Sequence, residues 1–334
     1  MKTSIIITSY KEPKTIKKAI KHVVIPTEIM WKSLEFIITA PDTKTIQSAK
    51  QTFNDILKNS DTSNAKRLTA QTQVTKVNKN TISYKIIKDN ATGKPNALNM
   101  AINQAIGKIL ILTDGDMYVS DNAIRLLLKH FGDEKVGGVS GHPVSQDTRI
   151  TQFGYYGHLF CDAAHHKRLS DPTTPMSGYL YAIRNDKRLW PLPTEIRAED
   201  AYISLKLLEL GYKLKYEPNA LAYVKFPKTM NDWVLQKTRS LGGNVQLKHI
   251  QTNAKLPQPK QNKSDRIPHK KQTRTITEDL KMAYFPIKFA KTPKELWYSL
   301  ILYPLRLYLW IRIFIQDKTK TYSKGVWKRV DSTK

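Results

Sequence analysis

The 334-residue chain carries 55 Lys and Arg against 28 Asp and Glu, a net charge of +27, with 40% hydrophobic and 25% charged residues. That length and apolar content suit a large folded domain and exclude a wholly disordered chain, while the charge surplus points to an anionic partner, such as nucleic acid, lipid headgroups or a phosphorylated substrate, or to a strong solubility role. The single cysteine, Cys161, excludes an internal disulfide and a cysteine-built zinc site.

In chain order, residues 5–8 read as a short apolar strand, and 13–24 as a helix with Ile16, Ala19, Ile20 and Val23 on one face. A second strand, 34–39, ends at Ala40-Pro41-Asp42, and a second amphipathic helix covers 45–57. Residues 61–79 are polar and aperiodic and read as a loop. A third strand follows at 82–87, a helix at 96–106 and a fourth strand at 108–113. Continuous apolar strands separated by helices predict an α/β fold: a mixed, mostly parallel sheet with helices on both faces. Ligands bind such sheets beyond the carboxyl ends of the strands. The segments expected there are 9–12, 41–42, 89–94 and Asp114-Gly115-Asp116, and each contains a carboxylate in a chain poor in acids.

The second half is less regular. Strands are expected at 136–140, 179–183 and 220–225, with a helix at 201–210 stopped by Gly211. Residues 146–175 read as a loop region, and 252–275, rich in Lys, Gln and Pro, as a connector. Residues 251–334 hold 19 Lys and Arg against 6 Asp and Glu, so the basic surplus concentrates in the tail. Within it, 296–315 is long and apolar enough for a membrane span but is interrupted by Pro304, Arg306 and Arg312. An arginine near the middle is costly at a bilayer centre. Trp297, Tyr298, Tyr303, Tyr308 and Trp310 are residue types that favour the headgroup boundary, and flanking lysines attract anionic lipid. The expected arrangement is a helix lying in the plane of an anionic membrane surface, with a single span or a soluble core helix as the alternatives.

Asp114-Gly115-Asp116 follows a buried strand. Two carboxylates at that spacing can place one oxygen on a hard cation, Mg2+ or Mn2+, and another on a ribose. By itself the segment also reads as an acidic turn.

Its surroundings resemble a known family. Residues 4–12, 36–42, Gly93-Lys94-Pro95-Asn96-Ala97-Leu98-Asn99, 177–184, Ala198-Glu199-Asp200 and Gln236-Lys237-Thr238-Arg239 resemble, in order, the motifs of family-two glycosyltransferases with the Rossmann-like GT-A fold. The resemblance covers about 4–243. It implies an inverting enzyme that moves a single sugar from a UDP- or GDP-type nucleoside-diphosphate donor to a lipid-linked or glycan acceptor. It implies Asp200 as general base, with Glu199 beside it. Ser9, Glu12, Asp42, Lys94, Asp114, Gln236 and Arg239 would contact the donor, Gly178 and Arg184 would lie on the acceptor side, and Asp116 with Asp114 would hold the cation. Asp200 also reads as a helix N-cap, and Lys94, Gln236 and Arg239 as exposed surface. The family's last motif usually places Trp after the Arg; here Ser240 follows Arg239, which favours a single addition over polymerisation.

The expected organisation is a catalytic domain at 1–250, a basic connector at 251–280 and a membrane-associating segment at 281–334, at the cytoplasmic face of a membrane. Two alternatives remain. A sugar-phosphate nucleotidylyltransferase would need a glycine-rich loop where Ser9-Tyr10-Lys11-Glu12 stands. A nucleic-acid-binding protein would fit the charge, but none of its sequence signatures is present. His142, His165 and His166 read as core or surface residues, and His249 is not expected to ligate a metal.

Overall fold

The computed structural model describes residues 2–58, 65–68, 72–77, 80–253, 275–319 and 333. The amino-terminal half alternates as expected: β1 (Thr3–Thr8), α1 (Thr15–Val24), β2 (Leu34–Ala40), α2 (Thr43–Lys58), a hairpin of β3 (Ala65–Leu68) and β4 (Thr72–Val77), β5 (Asn80–Lys88), α3 (Lys94–Gln104) and β6 (Ile109–Asp114). Then come β7 (Tyr118–Val119), α4 (Ala123–Leu128), β8 (Val136–Ser145), α5 (Gln152–Ser170), β9 (Leu180–Arg184), α6 (Glu199–Glu209), β10 (Lys213–Val224) and α7 (Met230–Asn253). Three helices close the described chain: α8 (Ile276–Lys281), α9 (Phe285–Phe289) and α10 (Pro293–Lys318).

All ten strands form one sheet, in the order β3-β4-β5-β2-β1-β6-β9-β8-β10-β7. Strands β5, β2, β1, β6, β8 and β10 run one way, and β9 runs against both of its neighbours. Strands β1 and β2 are buried along their whole length, as central parallel strands must be. Their residues alternate between two cores. Ile5, Ile7, Phe36 and Ile38 pack under α1 and α2, whereas Ile6 and Ile37 pack with Leu98 of α3 and Ile203 of α6. The sheet is therefore covered on both faces, and its carboxyl ends converge on one edge.

Two expectations fail. Residues 61–79 are not wholly loop, because β3 and β4 pair antiparallel and β4 extends the sheet from β5. β-branched Thr72, Val74, Thr75 and Val77 supply strand propensity there without an apolar run. Residues 146–175 contain the 19-residue α5, N-capped by Thr151, whose Oγ1 accepts from the Gly154 N–H at 3.2 Å. Buried Tyr155, Tyr156, Leu159 and Cys161 lie on more than one face of α5, so no single stripe marks it in sequence. The connector proposed at 252–275 falls almost entirely outside the described residues.

Helix α10 is long and apolar enough to cross a membrane by length and composition, yet one face is docked on the protein. Leu302, Leu309 and Ile313 pack with Tyr155 and Tyr156 of α5 and Trp233 of α7. Three of its polar residues meet the protein. Arg149 grips Glu295 with Nε and Nη2 at 2.8 and 2.9 Å, and Ser299 donates to the Pro286 carbonyl. Arg306 pairs with Asp279, which also accepts from Trp310 Nε1 at 2.8 Å. The opposite face exposes Trp297 (61%), Leu307 (57%) and Phe314 (59%) together with Leu300, Tyr308 and Ile311. Arg306 thus occupies a protein-facing position, which removes the cost expected of it in an apolar span.

The Arg149–Glu295 pair fixes the start of α10. Replacing Arg149 by Ala leaves a buried carboxylate without its cation and removes the guanidinium from the Phe289 ring, 4.4 Å away. Allowing for Arg149's partial exposure, we expect a loss of about 2–3 kcal/mol. Denaturant titration reads the loss, and faster amide exchange confined to 293–318 locates it.

Candidate functional site

The site begins where β1 and β6 end. The Gly115 N–H donates to Thr8 O at 2.8 Å and continues the ladder past the strand, while Thr8 Oγ1 donates to Asp114 Oδ1 at 2.8 Å. A Cβ on Gly115 would sit 2.5 Å from Ser9 Oγ, so only glycine lets the two loops close. Gly93, at φ 118°, turns the chain sharply into α3 and sets Lys94 at its first position. Lys94 Nζ lies 2.8 Å from Asp114 Oδ1 and 2.9 Å from Glu199 Oε1. Burial works against that ammonium, but Asp114 and Glu199 outweigh it and hold the group well above its ordinary range. Lys94 therefore reaches the site by bridging two carboxylates, rather than lying on exposed surface.

Asp200 follows Glu199 at the start of α6. Its Oδ1 accepts from the Ala201 N–H at 2.8 Å, and no cation pairs with it among the described residues. Burial, then the neighbouring Glu199 charge, raises its carboxyl to about 6. Gly178, just before β9, makes room for it, since a Cβ there would lie 2.8 Å from Asp200 Oδ2.

Lys94, Asp114, Gly178, Glu199, Asp200, Gln236 and Arg239 line one cavity of about 390 Å3, so the structure brings together seven of the residues expected from sequence. Gln236 Oε1 is buried there without a hydrogen-bond partner. Burial lowers the Arg239 guanidinium, against the raising influence of Tyr179, Glu199, Asp114 and Asp116. Asp116 is half-buried and shares its surroundings with Asp114, Tyr179 and Arg239. Among the described residues no cluster of three or more His, Cys, Asp or Glu could hold a metal. A cation here would have two carboxylates at most and would need the remaining ligands from a substrate.

Four expected residues stand elsewhere. Ser9 Oγ donates to Glu12 Oε2 at 2.8 Å, and Asp42 caps α2 by accepting from the Thr45 N–H at 2.9 Å while also accepting from the Lys11 N–H. These three brace the loops after β1 and β2 and do not line the cavity. Arg184 is not on the acceptor side. Because β9 is antiparallel, Arg184 pairs in register with Ile109 at the far edge of the sheet, where it donates to the carbonyls of Phe131, Asp133 and Val136.

Sequence reasoning missed Lys167 and Arg168 of α5, Arg197, and Asp279 and Met282 at α8, all of which line the cavity. The first two lie in the stretch read as loop, and the last two in the tail treated as a separate segment. His142 and His165 stack at 4.3 Å, and His165 Nδ1 lies 2.7 Å from the Tyr216 hydroxyl. His249 pairs with Asp317 at 3.0 Å.

The model of glycosyl transferase family group 2 matches residues 109–316. Poly-beta-1,6-N-acetyl-D-glucosamine synthase of Staphylococcus aureus (strain COL) is 29% identical over 157 residues, covering 44% of this chain and 37% of that protein. The synthase of the same name from Staphylococcus epidermidis is 28% identical over the same shares. The chain thus spans well under half the length of these curated relatives. A mannosyltransferase from Pyrobaculum calidifontis, solved with GDP-Man and Mn2+, has the same fold, with a TM-score of 0.56 at 16% identity over 96% of this chain and 81% of that one.

The raised Asp200 carboxyl has a consequence for stability. A folded-state pKa near 6 against an ordinary 3.8 means the folded chain binds this proton more tightly. Stability from this group is therefore present at low pH and is lost as pH rises through about 6. Asp200→Asn should raise the melting temperature at pH 8 and leave it nearly unchanged at pH 3, below the ordinary carboxylate value. An equal gain at both values would show that burial does not raise the carboxyl.

Proposed function

The chain belongs to glycosyl transferase family group 2, and from that premise we propose that it moves one sugar from a UDP- or GDP-type nucleoside-diphosphate donor to an acceptor hydroxyl, with inversion. The observation that carries this reading is the cavity at the carboxyl ends of the strands, where Asp200 is the carboxylate without a cation while Lys94 holds Asp114 and Glu199. Family membership sets aside the nucleotidyl-transfer and nucleic-acid readings.

The acceptor oxygen attacks the anomeric carbon, the bond from that carbon to the diphosphate oxygen breaks, and the hydroxyl proton passes to Asp200. A carboxyl raised to about 6 is ionised at neutral pH yet basic enough to take that proton. Glu199 and Lys94 fix the position of α6 and with it Asp200. Arg239 and Gln236 face the donor, where a guanidinium fork matches phosphate oxygens. Asp114 and Asp116 fit a Mg2+ or Mn2+ ion completed by donor phosphates, and such an ion offsets charge on the leaving diphosphate. Of the two, Asp114 also accepts from Lys94 and Thr8, and Asp116 would be the other ligand. Ser9, Glu12 and Asp42 shape the nucleotide end by holding the first two loops rather than through the cavity itself. Ser240 on the cavity wall, in place of a stacking aromatic, favours single addition.

The exposed apolar face of α10, fringed by Lys281, Lys288, Lys291, Lys294 and Lys318, favours docking in the plane of an anionic membrane over spanning it. The same lysines favour the cytoplasmic side.

Asp200→Asn should lower kcat by about 10²–10⁴-fold with donor affinity intact. Wild-type kcat should rise with pH to a plateau above about 6. Near-normal turnover in Asp200→Asn removes the base assignment. In calorimetry, Mn2+ should tighten UDP or GDP binding to the wild type and have no such effect on Asp116→Ala; an unchanged Mn2+ effect places the ion elsewhere.

A further inference from the structure

Charges in the cavity wall are largely matched within the protein. Lys94 serves Asp114 and Glu199, Lys167 lies 3.4 Å from Glu278, and Arg306 pairs with Asp279. Arg168 is different. It lines the cavity from α5, and burial lowers its guanidinium. Its contacts are two backbone carbonyls, Pro175 O at 3.2 Å and Ala164 O at 3.5 Å, and no carboxylate pairs with it among the described residues. A part-buried cation without a counter-ion pays part of its desolvation uncompensated, and a guanidinium has five donors, of which two are used here. The arrangement suits an anionic group from outside the protein. Tyr216 and then Asp200 act on the Arg168 guanidinium, whereas Tyr179 and Glu199, then Asp114 and Asp116, act on Arg239. On the transfer reading, an anion at Arg168 lies in the same cavity as Asp200, where the acceptor would enter.

The wall next to it is two-sided. Glu278, Asp279 and Met282 face the cavity. Leu280, Tyr284 and Ile287 of the same segment are exposed, as are Trp297, Leu300 and Leu307 of α10. Lysines stand among them at 281, 288, 291 and 294, which gives the segment the charge complement of a bilayer surface carrying phosphates.

We propose that Arg168 forms a subsite for the phosphate headgroup of a membrane-resident acceptor, whose alkyl chain lies along the outer face of the segment from α8 to α10. The word acceptor rests on the transfer reading above; the binding site itself does not. A phosphate held at Arg168 leaves the attacking hydroxyl of the same molecule beside Asp200.

The test is equilibrium binding to the full chain without donor, so that it stands apart from turnover. The probes are dodecyl phosphate below its micellar concentration, neutral dodecyl maltoside and inorganic phosphate. Dodecyl phosphate should bind about tenfold or more tighter than either of the others, and Arg168→Gln should weaken it about tenfold, with Arg168→Lys intermediate. Leu280→Ser with Ile287→Ser, which removes no charge and buries nothing new, should weaken dodecyl phosphate and leave inorganic phosphate unchanged. Equal binding of dodecyl and inorganic phosphate would mean a soluble phosphate source and overturn the lipid assignment. Unchanged affinity in Arg168→Gln, or displacement of dodecyl phosphate by UDP, would overturn the subsite. Absence of sugar transfer with phosphate binding intact would instead count against the transfer reading alone.

Discussion

The site depends on Lys94. Its ammonium joins the end of β6 through Asp114 to the start of α6 through Glu199, with α3 as the third element. Three segments distant in sequence are thereby held by one buried cation. A buried ion pair gives little net stability, but its separation is expensive, so it fixes geometry more than it adds free energy. It also decides the character of Asp200. Lys94 is committed to Asp114 and Glu199, so its attraction only partly offsets the burial and the Glu199 charge that push the Asp200 carboxyl up to about 6. One lysine thus organises the wall and leaves a single carboxylate able to take a proton.

The same economy of charge governs the carboxy-terminal helices. Helix α10 has two apolar faces, and composition alone does not say which one docks. The polar groups do. Glu295, Ser299 and Arg306 each meet a partner on the protein, with Arg149, Tyr155 and Asp279 respectively. Such groups buried without partners would be penalised, so the face that carries them must turn inward. The face left outward is mostly apolar, with Arg312 bonded to the exposed Tyr308 hydroxyl. Docking also carries α8 onto the cavity, so the end of the stretch expected as a connector becomes part of the site wall.

Much of this was legible in sequence, for physical reasons. Strands β1, β2 and β6 are buried on both faces, so each reads as an unbroken apolar run, and the chemistry falls just after such runs. Asp114 is found that way, whereas Glu199 and Asp200 come from the resemblance of 198–200 to a family motif. What was not legible depended on tertiary partners. Helix α5 is buried on several faces and shows no stripe, so Arg168 and Lys167 stayed hidden. Strands β3 and β4 rely on β-branched Thr and Val rather than on an apolar run. Arg184 follows a strand much as Asp114 does, yet β9 runs antiparallel, which carries it to the opposite edge. Strand direction is a pairing property, and no local pattern in 180–184 encodes it. Ser9, Glu12 and Asp42 were placed in the right loops, but their oxygens are spent on bracing those loops.

The placement of cations follows from what transfer requires. A diphosphate donor and a phosphorylated acceptor repel, and two unit charges about 7 Å apart at an effective dielectric of about 20 cost about 2 kcal/mol. A cavity that binds both must spread its positive charge rather than pool it. Arg239 and Arg168 both line the cavity, one carried by α7 and the other by α5. On the proposed transfer reading, the reacting hydroxyl would lie next to Asp200, which no cation pairs with among the described residues. The surplus of +27 would then serve two ranges: part-buried guanidiniums for the substrates, and a fringe of exposed lysines for an anionic surface.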